Sequence, residues 1–388
     1  MKKLYPLKFR PILKSRVWGG PRIVKEYGRE AEEGADASHI GESWDLCDMP
    51  DCESIVENGF LEGNDIADIL ETYLGDLVGD KVFEYYGLQF PLLVKILDID
   101  GAISLQVHPN DEIAAERYDA YGKEEVWYVL DAKKDACVYM GFRRDVSVAE
   151  FYEKCKNGTA IELLNVFHPK KGDCFIVKPG TVHAASGGIL LSEIQEPSDL
   201  TFRLYDWGRE LNPATAREMH LEEAIDCINY NKFDVENCYI KGVKDNRHIY
   251  EGEHFNITNI ALSDTYHIYT DNFKSCIAYI CTEGEALIQV VNEKGNEIYP
   301  LKRGEIILIP ATMSDFFVSP KAVGTNLLEV SFPEHHEEDL YVDPSVAASC
   351  GDEDCDCDEA DCDDDECDCG HGHHHGHHHH ECGCGHHH

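Results

Sequence analysis

Basic residues and long apolar runs are both scarce in this chain of 388 residues. Lysine and arginine number 34 against 74 aspartates and glutamates, a formal net charge of −40. Nucleic acid and anionic membranes are recognised through positive charge, so this balance excludes both as partners. The opening MKKLYPLKFRPILKS holds no apolar stretch long enough for a signal peptide or a membrane span. A cytoplasmic location is the resulting expectation. A disulfide framework is also missing, although there are 17 cysteines. Nine are scattered through residues 1–342 and read as reduced, mostly buried thiols. The other eight crowd into residues 350–384.

That crowding marks a separate tail over residues 343–388, with 14 acidic residues and no lysine or arginine. Cys-Asp-Cys occurs at 355–357 and 367–369, Cys-Gly-Cys at 382–384, and eleven histidines lie among glycines and acids. With almost nothing apolar to bury, the tail is expected to be disordered without metal. Closely spaced thiols and imidazoles suit zinc, nickel or copper. A purification tag would account for His386–His388, but not for the interleaved cysteines and aspartates. Without the tail acids the net charge is still −26. An anionic substrate therefore needs a local basic cluster, for which Lys95, Lys123, Arg203 and Arg209 are candidates.

The chemistry concentrates in residues 95–209, in three short pieces: Gln106-Val107-His108-Pro109-Asn110-Asp111, Gly122-Lys123-Glu124-Glu125-Val126-Trp127 and Gly180-Thr181-Val182-His183. Gln106 and His108 are two apart and share a face if the backbone is extended. An amide oxygen beside an imidazole is half of a metal site, and Glu125 and His183 would complete it. Nitrogen and oxygen donors without thiolate suit zinc or another divalent first-row ion. Such a centre favours Lewis-acid work on a hydroxyl-rich substrate.

Around these pieces the pattern is mainly β. Residues 4–14 read as an extended arm, Val17–Gly20 as a turn and Gly41–Leu46 as a strand. Residues 64–86 follow the helical period with Asn64 as cap. Phe90–Asp98 is an apolar strand that buries Lys95, whose amine then needs a partner. Val126–Leu130 and Ala136–Gly141 read as a hairpin, residues 147–157 as a helix capped by Ser147 and Glu150. Strands follow at 173–178 and 189–194 with His183 on the loop between them, then a strand at 201–207 and a helix over 215–230. From about 235 to 342 short strands return at the spacing of a sandwich or barrel. Lys171–Val177 is echoed there by Arg303–Ile309, and the position matching His183, eleven after the glycine, is Asp315. The second copy thus repeats the first without its metal ligands.

With these motifs the chain resembles the type I phosphomannose isomerases, zinc enzymes of the cupin superfamily, over roughly residues 5–335. Trp18-Gly19-Gly20, Gly41-Glu42-Ser43-Trp44 and the run from Glu193 to Trp207 match patterns of the shorter bacterial members. One local departure is Lys178-Pro179-Gly180, where members usually read Pro-x-Gly. The resemblance implies two cupin-like jelly-roll barrels with a few helices: a catalytic metal-binding domain at 1–234, a metal-free β domain at 235–342, and the tail at 343–388. It implies one zinc on Gln106, His108, Glu125 and His183, with Arg203, Lys123 and Glu193 as active-site residues.

The implied reaction interconverts mannose 6-phosphate and fructose 6-phosphate through an enediol. A metal can hold the sugar oxygens, and a general base must reach the C2 proton. Glu193 or a metal-polarised water fits that role. Arg203 and Lys123 divide enediolate stabilisation and phosphate binding between them. The expected partner is a sugar phosphate, and the expected state a monomer or homodimer. Another metal-dependent cupin enzyme and a non-catalytic sugar-binding cupin are the rival readings.

Overall fold

A computed structural model of the chain describes residues 2–31, 34–214, 216–292 and 295–334. The tail at 343–388, and the expectations placed on it, lie outside the described residues. Among the described residues the architecture is mainly β, as the sequence predicts, and is built from four antiparallel sheets. The first runs in the order Ile12–Gly20, Ile40–Leu46, Leu93–Ile99, Ile189–Gln195, Glu125–Ala132, Cys174–Val177 and Tyr239–Ile240. The second runs Phe202–Tyr205, Leu105–Val107, His183–Ser186, Cys137–Phe142 and Leu164–Phe167. Later in the chain come a five-stranded sheet, whose members include Asn256–Leu262, Thr325–Ser331 and Ile277–Glu283, and a four-stranded one that includes Asp315–Pro320.

Period-two alternation explains how the layers pack. On Glu125–Ala132, Trp127 and Val129 enter one core with Leu105, Val107 and Met140 of the second sheet. Val126, Tyr128 and Leu130 face the opposite way, into a core shared with the helices Ile66–Tyr73 and Asp80–Tyr86 and with Ala278 and Val330. Ile277 and Tyr279 point into a third core with Phe316 and Val318. A strand buried on both faces belongs in the middle of a sheet. That corrects the expected hairpin: both edges of Glu125–Ala132 are taken by Ile189–Gln195 and Cys174–Val177. Cys137–Phe142 therefore pairs in the other sheet, with His183–Ser186 and Leu164–Phe167.

Four further expectations change. Trp18-Gly19-Gly20 is the end of a strand, because the glycines serve close approach and not a turn. A Cβ on Gly19 would lie 2.4 Å from the Gly41 nitrogen, and one on Gly20 2.3 Å from Asp98 Oδ2. The helical stretch at 64–86 breaks into three pieces at Leu74 (φ 51°) and Gly79 (φ 103°), and its cap is Asp65, which accepts from the Asp68 N–H, not Asn64. Ser147 does cap Val148–Lys156, but Glu150 turns to Arg144 and leaves the box half made. His183 opens a strand, His183–Ser186, and is not on a loop.

Among the described residues of 215–230, helix is confined to Leu221–Ala224. The preceding residues are tied to Arg203 instead: the His220 N–H donates to the Arg203 carbonyl at 2.8 Å, and Arg203 Nη1 donates to the Glu218 carbonyl at 2.7 Å. The internal echo survives in the backbone. Gly172 (φ 85°) and Gly304 (φ 82°) make matching turns into Cys174–Val177 and Ile306–Ile309, and Asp315 opens a strand as His183 does. Among the described residues no helix is long and apolar enough to cross a membrane.

Candidate metal centre and active site

Three strands bring the ligand-type residues together. Gln106 on Leu105–Val107 is the register partner of His183. Glu125 begins Glu125–Ala132 opposite Val177 and Gln195. His108 Nε2 lies 3.5 Å from Glu125 Oε2, and His183 Nε2 lies 3.3 Å from Glu125 Oε1. Each of the three side chains is at most 1 % exposed.

The far side of each imidazole is fixed by a backbone carbonyl: His108 Nδ1 lies 2.9 Å from the Leu200 oxygen, and His183 Nδ1 2.8 Å from the Thr181 oxygen. A carbonyl only accepts, so each Nδ1 carries the proton and each Nε2 presents a lone pair inward. Burial, helped by Lys123, pushes His108 down to about 3, which keeps the ring neutral. Burial opposes ionisation of Glu125, but the Lys123 ammonium 3.5 Å away pulls the other way and holds the carboxyl below its usual range.

His108 Nε2 and both Glu125 oxygens are buried without a hydrogen-bond partner of normal geometry. Each such atom costs about 1–3 kcal/mol when left unmatched. A divalent cation among them would satisfy all three, and imidazole nitrogen with carboxylate oxygen is a donor set that zinc accepts. Gln106 fits conditionally. Its amide nitrogen lies 3.3 Å from His183 Nε2 while its oxygen accepts from Ser104 at 3.1 Å. A ligand role requires the amide turned over so that the oxygen faces inward.

Beside these residues lies a cavity of about 330 Å³, lined by Gln106, by the cations Arg16, Lys95, Lys123, Arg203 and Arg217, and by Glu42, Glu193 and Asp199. Positive charge is thus gathered locally on a strongly acidic chain. Lys123 Nζ is 3.5 Å from Glu125 Oε2. Glu193 is held at both oxygens, by Lys95 Nζ at 3.2 Å and by the Trp127 indole N–H at 2.8 Å. Burial and then the charge of Glu125 push Glu193 upward, against the pull of Lys95. Arg203 pairs in register with Gln106, and its Nε is buried without a partner. The surface ion pair that Arg203 could have made with Asp206 does not form, because Arg209 and Arg217 occupy Asp206 at 2.6 and 2.5 Å.

Of the four cations named from the sequence, Arg209 is not in the cavity; it braces Asp206 and the Ala102 carbonyl. Lys178, beside the displaced proline, is exposed and does not line the cavity. Arg16, Asp199 and Arg217 were not singled out from the sequence. Glu42 and Trp18 were, but only as parts of motifs without a role. A larger cavity, about 690 Å³ around Thr282 and Asn326, holds none of these residues. A second group of ligand-type side chains, Asp111, Glu196 and His254, also lies outside the cavity. Its carboxylate oxygens are all partnered, by backbone N–H groups or by His254, unlike those of Glu125.

The sequence profile of the type I phosphomannose isomerase catalytic domain matches residues 7–140. A mannose-6-phosphate isomerase of Bacillus subtilis is 32 % identical over 318 residues, spanning 80 % of this chain and 95 % of the relative. The chain belongs to the type I phosphomannose isomerase family. It is an enzyme of that family, and the isomerase shares its fold with solved members. The crystal structure of a Bacillus subtilis mannose 6-phosphate isomerase superposes with a TM-score of 0.71 at 26 % identity, covering 85 % of this chain and all of that one. A zinc-bound mannose 6-phosphate isomerase shares the fold with a TM-score of 0.67 at 17 % identity, again over 85 % of this chain and all of that one.

Proposed function

We propose that the isomerase interconverts mannose 6-phosphate and fructose 6-phosphate, with zinc held by His108, Glu125, His183 and a turned Gln106. The observation that carries this reading is the set of buried, unpartnered donor atoms on His108 and Glu125 at the edge of a cation-lined cavity. In this proposal residues 1–234 form the catalytic cupin-like barrel and 235–342 a second barrel without a metal.

The reaction moves a proton from C2 to C1 of the open-chain sugar. Glu193 is the proposed base: it lines the cavity, is 4 % exposed, and its elevated pKa brings it nearer the working pH. It takes the C2 proton and returns it to C1, while Lys95 and Trp127 fix its orientation; a second proton passes from O2 to O1, so that the C2 hydroxyl becomes the carbonyl and the C1 carbonyl a hydroxyl. The bound metal would supply Lewis-acid polarisation of the sugar oxygens. Arg203, beside Gln106 with an unmade Nε bond, stabilises the negative charge that develops on the enediolate. Lys123 offers its ammonium to the phosphate.

A coupled assay with mannose 6-phosphate, with and without a chelator, tests the reading. Turnover that chelation abolishes and zinc restores supports it. Binding without turnover points to a sugar-sensing protein, and iron-dependent oxygen consumption to a different cupin enzyme.

The tail enters as a separate proposal: its cysteines and histidines hold additional metal ions as a tethered reservoir. Its support is compositional, from the clustered thiols and imidazoles.

A further inference from the structure

Backbone alternation splits the segment that carries Lys123 and Glu125. Lys123 and Glu125 approach one another at the cavity, while Glu124 between them turns the opposite way. All three are buried, at 4, 8 and 1 % exposure for residues 123, 124 and 125. The backbone on either side of Lys123 is held by two carboxylates. The Gly122 N–H donates to Asp111 Oδ1 at 2.9 Å, and the Glu124 N–H donates to Glu196 Oε2 at 2.6 Å.

Both carboxylates turn their other oxygen to one residue from the later half of the chain. His254 Nε2 lies 3.3 Å from Asp111 Oδ2 and 3.4 Å from Glu196 Oε1. Carboxylate oxygens only accept, so an Nε2 that faces two of them carries a proton and donates it to them. His254 Nδ1 in turn lies 3.3 Å from the Tyr86 hydroxyl. Tyr250, four residues before His254, hydrogen-bonds the Glu124 side chain from the same strand pair.

We infer that His254 is a positioning residue for the isomerase: by bridging Asp111 and Glu196 it clamps the backbone at residues 122 and 124 and so sets Lys123 and Glu125 in the active site. It touches neither substrate nor the proposed metal ligands. The inference gives the later, metal-free half of the chain a part in the reaction, through the link between Arg247–Glu251 and Asn256–Leu262. It rests on the isomerase reading for its kinetic consequence, but not for its structural one.

The test uses the full zinc-loaded chain and the variants His254→Ala and His254→Gln. Hydrogen exchange over residues 121–125, read without substrate, should quicken in both variants while peptides from Ile277–Glu283 keep their protection. The kcat for mannose 6-phosphate should fall about tenfold to a hundredfold as Glu125 is displaced, and KM should rise as Lys123 loses its place beside the phosphate. Unchanged exchange at 121–125 in both variants overturns the clamp, whatever the substrate proves to be. Faster local exchange with unchanged kcat overturns the positioning role. Exchange that quickens everywhere, or failure of both variants to fold, makes His254 a general stabilising residue and also overturns it. Because exchange needs no turnover, a chain inactive on mannose 6-phosphate would refute the isomerase reading without disturbing this measurement.

Discussion

Lys95 and Glu193 face one another in register across adjacent strands, with the ammonium 3.2 Å from the carboxylate. Burial alone would discharge both. Lys95 instead stays charged because Glu193 and Glu42 outweigh its burial, and its ammonium opposes the upward shift of Glu193.

This pairing has a consequence for the pH profile. A base works when deprotonated, so kcat should fall as pH drops through the Glu193 pKa. Lys95→Met removes the cation that favours the carboxylate, which raises that pKa further. The acidic limb of the kcat profile should therefore move to higher pH, by about one unit or more for a close opposite charge. An acidic limb that stays in place in Lys95→Met would take Glu193 out of the base role. Glu193→Gln should abolish most turnover at every pH.

Metal dependence should reside in the imidazoles and carboxylate of the centre. His108→Ala or His183→Ala, made in a chain truncated after Pro344 so that the tail does not contribute, should lose most bound zinc and nearly all turnover. Metal content is read by elemental analysis after gel filtration. Full activity in either variant, with metal content halved or less, would remove the centre from the reaction.

Arg203 and Lys123 are separable by kinetics. Arg203→Ala should lower kcat by about 10²–10³, the range for losing one preorganised charge stabiliser, with little change in KM. Lys123→Ala should chiefly raise KM for the phosphorylated sugar. The reverse split would exchange their roles, and unchanged constants in Arg203→Ala would reduce it to a brace for the Glu218 carbonyl.

Much of the site was legible because its residues sit in short motifs whose spacing follows the strand period. Gln106, His108, Glu125 and His183 could be grouped from the sequence, and the structure places all four within one small region. The burial of Lys95 was legible from its apolar flanks, but its partners were not: Glu193 is 98 residues away, and only sheet order brings it near. The same limit explains the false hairpin at 126–141, since adjacency in sequence hid the edges already taken by Ile189–Gln195 and Cys174–Val177. The composition around Arg217 predicts a helix, whereas side-chain and backbone bonds to Arg203 and Asp206 fix that segment otherwise. His254 lay in an undistinguished stretch, and nothing in its spacing pointed to Asp111 or Glu196.

The tail should be dispensable for the reaction while it dominates metal capacity. Eight cysteines and eleven histidines lie within residues 350–388, against four ligands in the catalytic set. Thiolates and imidazoles at these spacings compete well for soft and borderline ions, and the 14 acidic residues of 343–388 add charge attraction for any cation. Truncation after Pro344 should leave kcat with mannose 6-phosphate essentially unchanged when zinc is plentiful, and should sharply reduce the metal bound per chain. Under limiting zinc, with a competing chelator present, the full chain should keep its activity longer than the truncated one, because ions on the tail resupply the centre. A truncated, zinc-loaded chain that is inactive would make the tail part of the catalytic unit. A truncated chain that binds as much metal as the full one would show that the tail holds none, and equal decay of activity under chelation would show that its metal is not passed on.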